Sequence, residues 1–326
     1  MTVLTEFTRF LDEHHAELDA WGMFIRATIR ERVDWNKVSI QIESSRAKDV
    51  QSAIGKIARK NYSNPLEQME DLVGVRFVVL ISPHIDEIAG IIENSGDLWH
   101  AKVARDPKEE AAASPESFSY QSKHYVVRSA KQLEYKGQII SAGLPCEIQI
   151  RTIMQHAYAE ITHDSIYKPS TGTVPTKALR FIASSMALIE TTDHLFCETM
   201  RLLDEENRPR NQLWAGLQEL YNSFIGAAGL GYDEKLNLEV LDALNGYPSE
   251  STLTEIKYMF DNRQALLSKI IARIPSDPFW SQPTSMLAYW LVGKDDSNAI
   301  DRWPFASARE ALALVYSDLG VAPPMH

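Results

Sequence analysis

The stretch from Asp71 to Ile81 reads DLVGVRFVVLI and constrains the fold more than any other part of the chain. It is rich in β-branched residues, nearly continuously apolar and closed by Pro83, the pattern of a central strand buried on both faces. A sheet must therefore be built around it, and an all-helical protein is excluded. A second stretch, Pro145 to Arg151, contains CEIQIR. Strand alternation puts Cys146, Ile148 and Ile150 on one face and Glu147, Gln149 and Arg151 on the other, so the second face is wholly polar.

Further strands fit Val38 to Glu43 and Tyr120 to Arg128. Tyr120, Ser122 and His124 share a face of the latter, offering an aromatic plate and hydrogen-bonding groups beside the polar face of CEIQIR. Two such faces suggest the floor of a cleft. Helices are expected over residues 3–33, from Asp49 to Lys60, from Pro83 to about Asn94, and from the end of CEIQIR through Lys168. Ala111 to Phe118 reads as a loop. Residues 176–205 form one long helical pattern, and helical segments follow near 211–226, 236–245, 251–274, 284–292 and 305–319.

The expected architecture is α+β, a mixed sheet of about five strands flanked by helices and followed by an all-helical region. With 326 residues, two domains are expected, 1–205 and 206–326. The four tryptophans of the second, Trp214, Trp280, Trp290 and Trp303, suit a core. A net charge of −11 argues against non-specific grip on nucleic acid. No apolar run has the length of a membrane span and the first residues do not resemble a signal peptide, so a cytoplasmic protein without membrane contact is expected. Cys146 and Cys197 are too few for a disulfide framework and read as buried small apolar residues.

Against the acidic background stands a basic cluster, Arg46, Lys48, Lys56, Arg59 and Lys60, which is either a solvated helix face or an anion site. Asp71 is a carboxylate at the head of a buried strand, where a lone charge is costly. With Glu147 it could hold Mg2+, a hard ion satisfied by one or two carboxylates plus substrate phosphates. Alternatively it sits at the exposed mouth of the strand or pairs with Arg76. His156, Glu160, His163 and Tyr167 fall on one helical stripe, which suits a hydrogen-bonded support for the cleft better than a zinc site.

Taken together, these segments resemble the synthetase domain of the RelA/SpoT-type alarmone synthetases, over about residues 40–170. Members of that family have a nucleotidyltransferase-like fold and transfer pyrophosphate from ATP to the 3'-hydroxyl of GDP or GTP, with AMP released. SSRAKDVQSAIGK is similar to the ATP-binding segment, which implies adenine stacking for Arg46 and phosphate binding for Lys48, Ser52 and Lys56. DLVGVR resembles the metal strand, with Asp71 as a Mg2+ ligand and Arg76 near the ATP phosphates. SYQSKHYVV resembles the acceptor strand, implying that Tyr120 stacks on the acceptor base and that Ser122 and His124 line its site. EIQIRTIMQHAYAEITHDSIYK is the most specific stretch. It implies Glu147, Gln149 and Arg151 at the catalytic centre, Glu147 as the second metal ligand, and His156, His163, Tyr167 and Lys168 in support.

Two departures stand out. Glu116, Phe118 and Ser119 replace a Lys, Asn and Gly common before the acceptor tyrosine, and Tyr158 replaces a Trp. The first departure keeps open an acceptor other than a guanine nucleotide, namely the 3' end of tRNA or an adenine nucleotide. A catalytically silent nucleotide sensor is the remaining alternative. The helical region suggests a homo-oligomer or a regulatory partner.

Overall fold

The structure, a computed structural model, describes residues 3–114, 116, 122–162, 173–226, 231–249 and 251–324. They divide into two compact units, residues 1–200 and 201–326.

The first unit opens with α1 (Val3–Glu13) and α2 (His15–Arg32), two helices where the sequence predicts one. Phe7, Leu11, Leu18, Trp21 and Ile25 are all buried, so the apolar stripe continues across the break at His14. Then come β1 (Ile40–Ala47), α3 (Val50–Lys60), α4 (Pro65–Gln68), β2 (Val73–Val79) and α5 (Pro83–Glu93). They are followed by β3 (Trp99–Arg105), α6 (Pro107–Ala113), β4 (Lys123–Ser129), β5 (Leu133–Tyr135), β6 (Gln138–Ile140), β7 (Pro145–Thr152) and α7 (Ile153–Thr162). A five-stranded sheet has the order β1-β2-β7-β4-β3, with β2 and β7 parallel and the other pairs antiparallel. β5 and β6 form a separate hairpin whose turn residues Lys136 and Gly137 both have positive φ.

Several expectations need correction. The first strand runs to Ala47 rather than ending at Glu43, so Arg46 lies on a strand. β2 begins at Val73, and Asp71 precedes it in a turn at the strand's mouth. β3 has no counterpart in the sequence reading. It is an edge strand with His100 to Ala104 all exposed, so it lacks the alternation that betrays a half-buried strand. Ala111 to Ala113 close α6 instead of opening a loop, because Asp106 caps that helix by accepting from the Lys108 amide at 2.9 Å.

One face of the sheet is apolar. Val73, Val75, Phe77, Ile148, Ile150 and Tyr125 are fully buried with α2 residues Trp21 and Ile25 in one core. Gly22 lets α2 approach closely, since a Cβ there would stand 2.9 Å from Val73 Cγ1 and 3.1 Å from Ser45 Cβ. The other face is polar.

A long helix, α8 (Thr176–Ile225), spans the boundary between the units. The sequence pattern breaks it near Arg208, yet it runs through Pro209. The proline removes one backbone donor, a cost offset by burial of Trp214, Leu217, Tyr221 and Ile225 along its final turns. The second unit continues with α9 (Glu234–Ala243), α10 (Thr252–Asn262), α11 (Gln264–Arg273), α12 (Thr284–Lys294), α13 (Ala299–Arg302) and α14 (Arg309–Leu319). Arg263, with φ of −132°, divides α10 from α11 where one helix was expected. All four tryptophans lie in this unit's core, as their composition suggests. Cys146 is buried, whereas Cys197 is only partly so. Among the described residues no helix is long and apolar enough to cross a membrane.

Candidate active site

The polar face of the sheet is built by register. Ser44 of β1, Arg76 of β2, Gln149 of β7 and His124 of β4 are aligned in one row across four strands. The next row holds Arg46, Gly74, Glu147 and Val126. A pocket of about 340 Å³ lies over these rows, lined by Arg46, Lys48, Ser52, Asp71, Arg76, Glu147 and Gln149 together with Ser44, Asp49 and Gly74. Gly74 keeps the floor low, because a Cβ added there would meet nothing within 4 Å. Seven of the residues singled out from the sequence thus converge in one cavity.

Asp71 is its electrostatic centre. Oδ2 accepts from Lys48 Nζ at 2.7 Å and lies 2.8 Å from Lys56 Nζ. Burial pushes this carboxyl up, but hydrogen bonds from Lys48 and Lys56 and their charges outweigh it and hold the group below its ordinary value of 3.8. The pairing is with these two lysines and not with Arg76. Oδ1 is buried and has no hydrogen-bond partner. A buried oxygen of an ionised carboxylate without a donor fits a hard cation.

Glu147 lies on the same floor. Its Oε1 is 3.1 Å from His124 Nδ1 and its Oε2 accepts from Gln149 Nε2 at 3.1 Å. Burial raises this carboxyl and the neighbouring Asp71 charge adds to the rise, but the His124 contact and the Gln149 hydrogen bond leave it lowered. Both acids are therefore carboxylates at neutral pH. No group of three or more His, Cys, Asp or Glu side chains converges among the described residues.

Beyond the lining, Arg76 reaches α7. Glu160 Oε1 accepts from Arg76 at 3.0 Å, lies 3.9 Å from Arg151 and 3.5 Å from His156 Nδ1. Burial, with the charges of Arg151 and Arg76, lowers the His156 imidazole despite Glu160, so its neutral form is favoured. Arg151 is only 2% exposed and stands behind the pocket rather than in its lining. Ser122, expected on the acceptor face, is fully buried and its hydroxyl donates to the Ile150 carbonyl at 3.3 Å, tying β4 to β7. Tyr120, His163, Tyr167 and Lys168 lie outside the described residues.

A cluster behind the site escaped the sequence reading. Thr152 and Gln155 form a capping box at the start of α7: Thr152 N donates to Gln155 Oε1 at 2.9 Å and Gln155 N to Thr152 Oγ1 at 3.2 Å. Asp193 of α8, only 3% exposed, accepts the Thr152 hydroxyl at 2.7 Å. The T-x-x-Q pattern was visible in the chain, whereas the long-range partner was not.

Residues 45–172 match the family described as "Region found in RelA / SpoT proteins", and the cavity-lining residues from Ser45 to Gln149 fall inside that span. This segment is similar to the RelA/SpoT-type domain. Among solved structures, the chain is similar to a GTP pyrophosphokinase family protein from Streptococcus pneumoniae, at 22% identity over 63% of this chain and 97% of that one, with a TM-score of 0.48. It is also similar to the small alarmone synthetase 1 from Bacillus subtilis, at 23% identity over 62% of this chain and 99% of that one, with a TM-score of 0.46. The same enzyme bound to its product pppGpp matches at 22% identity, over 61% and 99%, with a TM-score of 0.47. No curated protein matches.

Proposed function

We infer that this chain transfers pyrophosphate from ATP to the 3'-hydroxyl of GDP or GTP, releasing AMP. The observation that carries the reading is Asp71: a carboxylate paired on one oxygen with two lysines and bare on the other, in a cavity within the RelA/SpoT-type segment. In the transfer, a bond forms between the 3'-oxygen and the β-phosphorus, and the bond from that phosphorus to the α–β bridging oxygen breaks. AMP departs with the bridging oxygen. Such displacements depend on positioning and charge neutralisation more than on covalent catalysis.

Asp71 and Glu147 would hold Mg2+, which would supply charge neutralisation at the transferred phosphates. Lys48, Lys56 and Arg76 bind phosphate oxygens, exchanging their carboxylate partners for them. Arg46, paired with Gly74 in the row that also holds Glu147, stacks on adenine, and Ser52 in the first turn of α3 presents its hydroxyl to phosphate. Arg151 and Gln149 position the β7 end of the site. Glu147, ionised and held by His124 and Gln149, accepts the 3'-hydroxyl proton. By the family resemblance, Tyr120 stacks on the acceptor base.

The test is incubation of the pure protein with Mg2+ and γ-labelled ATP, offering GDP, GTP, ATP and uncharged tRNA separately. Label on GDP or GTP with stoichiometric AMP supports the reading. Label only on tRNA or ATP gives the acceptor role to another nucleotide, as the Glu116, Phe118 and Ser119 departure would favour. Binding of ATP without transfer to any acceptor leaves a nucleotide sensor. Asp71→Asn and Glu147→Gln should each lower the rate by about 100-fold or more, with the circular dichroism spectrum unchanged.

A further inference from the structure

One helix carries an apolar surface that the transfer site does not use. Along α8, Phe181, Leu188, Leu195 and Leu202 recur at seven-residue intervals and are 61%, 68%, 59% and 56% exposed. A seven-residue apolar repeat is the spacing at which one helix packs along another. Beside this row, at the helical offset of four, run Ser185, Thr192 and Thr199. Their hydroxyls donate to the carbonyls of Phe181, Leu188 and Leu195 at 2.7–2.8 Å. The seam therefore shows methyl and methylene groups, and its hydroxyls are satisfied within the helix.

The helix cannot roll this row inward. Its opposite side carries Met186, fully buried, and Asp193, fixed to Thr152, and these hold that face on the first unit. At half exposure or more, the four large side chains with Phe196 and Leu203 leave on the order of 500 Å² of apolar surface per chain. Two copies together would cover on the order of 1,000 Å², the lower bound of a specific interface.

We propose that α8 pairs antiparallel with α8 of a second copy of this chain, Phe181 against Leu202 and Leu188 against Leu195, about a two-fold axis near Thr192. Self-pairing about a two-fold axis needs a row that is complementary to its own reverse, and this row is: Phe181 and Leu202 are equidistant from its centre, as are Leu188 and Leu195. Charge selects the antiparallel direction. The N-terminal end of the stripe carries Lys177 and Arg180, while the C-terminal end carries Asp204, Glu205 and Glu206. Antiparallel pairing sets Lys177 beside Glu206 of the partner, whereas parallel pairing stacks acid on acid.

The experiment measures mass by sedimentation equilibrium on the full chain, then probes register with single cysteines in a Cys197→Ser background. A dimer is expected, with Thr192→Cys forming a disulfide-linked dimer under mild oxidation. Phe181→Cys should remain unlinked, because its two copies would stand about 30 Å apart at 1.5 Å per residue. Leu188→Glu with Leu195→Glu should give a monomer that keeps the wild-type melting behaviour of the first unit. A monomeric wild type overturns the proposal, including the case in which this face serves a different protein. Linking through Phe181→Cys overturns the antiparallel register, and a dimer that survives the double glutamate variant overturns the interface. None of these readouts depends on the transfer reaction, so the proposal stands or falls apart from the proposed function.

Discussion

At the scale of single residues, the site is organised by an imbalance at Asp71. Two ammonium groups converge on one oxygen and none on the other, so the carboxylate is held ionised yet has an unused acceptor. Replacing both lysines, Lys48→Met with Lys56→Met, leaves burial as the dominant influence. The Asp71 carboxyl should then titrate above its ordinary value instead of below it, a reversal measurable by carbon-detected NMR. Because the wild-type group is depressed, the stability it contributes is complete above about pH 4 and is lost as the pH falls through its folded value. The double variant should lack that acid-side loss. Most of these residues were legible in the chain because each sits in a short motif with local spacing. What the motifs did not give was the pairing: that Asp71 takes lysines and Arg76 takes Glu160 depends on how β1, β2 and α7 meet.

At the scale of elements, the sheet's centre was readable and its edges were not. β2 and β7 carry their own burial pattern, so DLVGVRFVVLI and CEIQIR announce themselves. β3, exposed along nearly its whole length, has no such pattern, and the β5–β6 hairpin is held by only three residues on each side. The break predicted between residues 205 and 211 failed because packing of Trp214 and Leu217 outweighs the one hydrogen bond lost at Pro209. Close approach of α2 to the sheet rests on Gly22, and Gly22→Ala should cost about 1–3 kcal/mol in denaturant titration by forcing Val73 and Ser45 aside. The Asp193 clip gives a second expectation at this scale. Burial raises its carboxyl against the opposing Thr152 hydrogen bond. It therefore stays protonated to higher pH in the folded chain than in the unfolded one, and stability falls as pH rises through the folded value. Asp193→Asn keeps an acceptor for Thr152 and should remove that slope. Asp193→Ala should cost about 1–2 kcal/mol by orphaning the hydroxyl.

At the scale of the whole molecule, two hydrophobic cores share no residue, one drawn from Phe7 to Ile150 and the other from Trp214 to Tyr316. The second has its own polar fastening. Asp318, 3% exposed as a side chain, takes Arg273 through two hydrogen bonds at 2.6 and 3.0 Å, Lys269 at 2.8 Å and the Tyr289 hydroxyl at 2.6 Å. The Arg273 guanidinium also lies 4.7 Å over the Trp280 ring. Burial raises the Asp318 carboxyl, but these donors bring it down to about 2, so its contribution is complete above the ordinary 3.8 and is lost as the pH falls toward 2. Asp318→Asn leaves Arg273 without its counter-charge and should destabilise the second unit by roughly 2–4 kcal/mol. With cores this separate, calorimetry of Asp318→Asn should show the second unit's transition moving and the first unit's staying. Label transfer measured below the shifted transition should match wild type, because every residue of the pocket lies in the first core's sheet or on elements packed against it. A fall in transfer that tracks unfolding of the second unit would instead make the helical region the controller of the site, acting along α8, the helix that both units share.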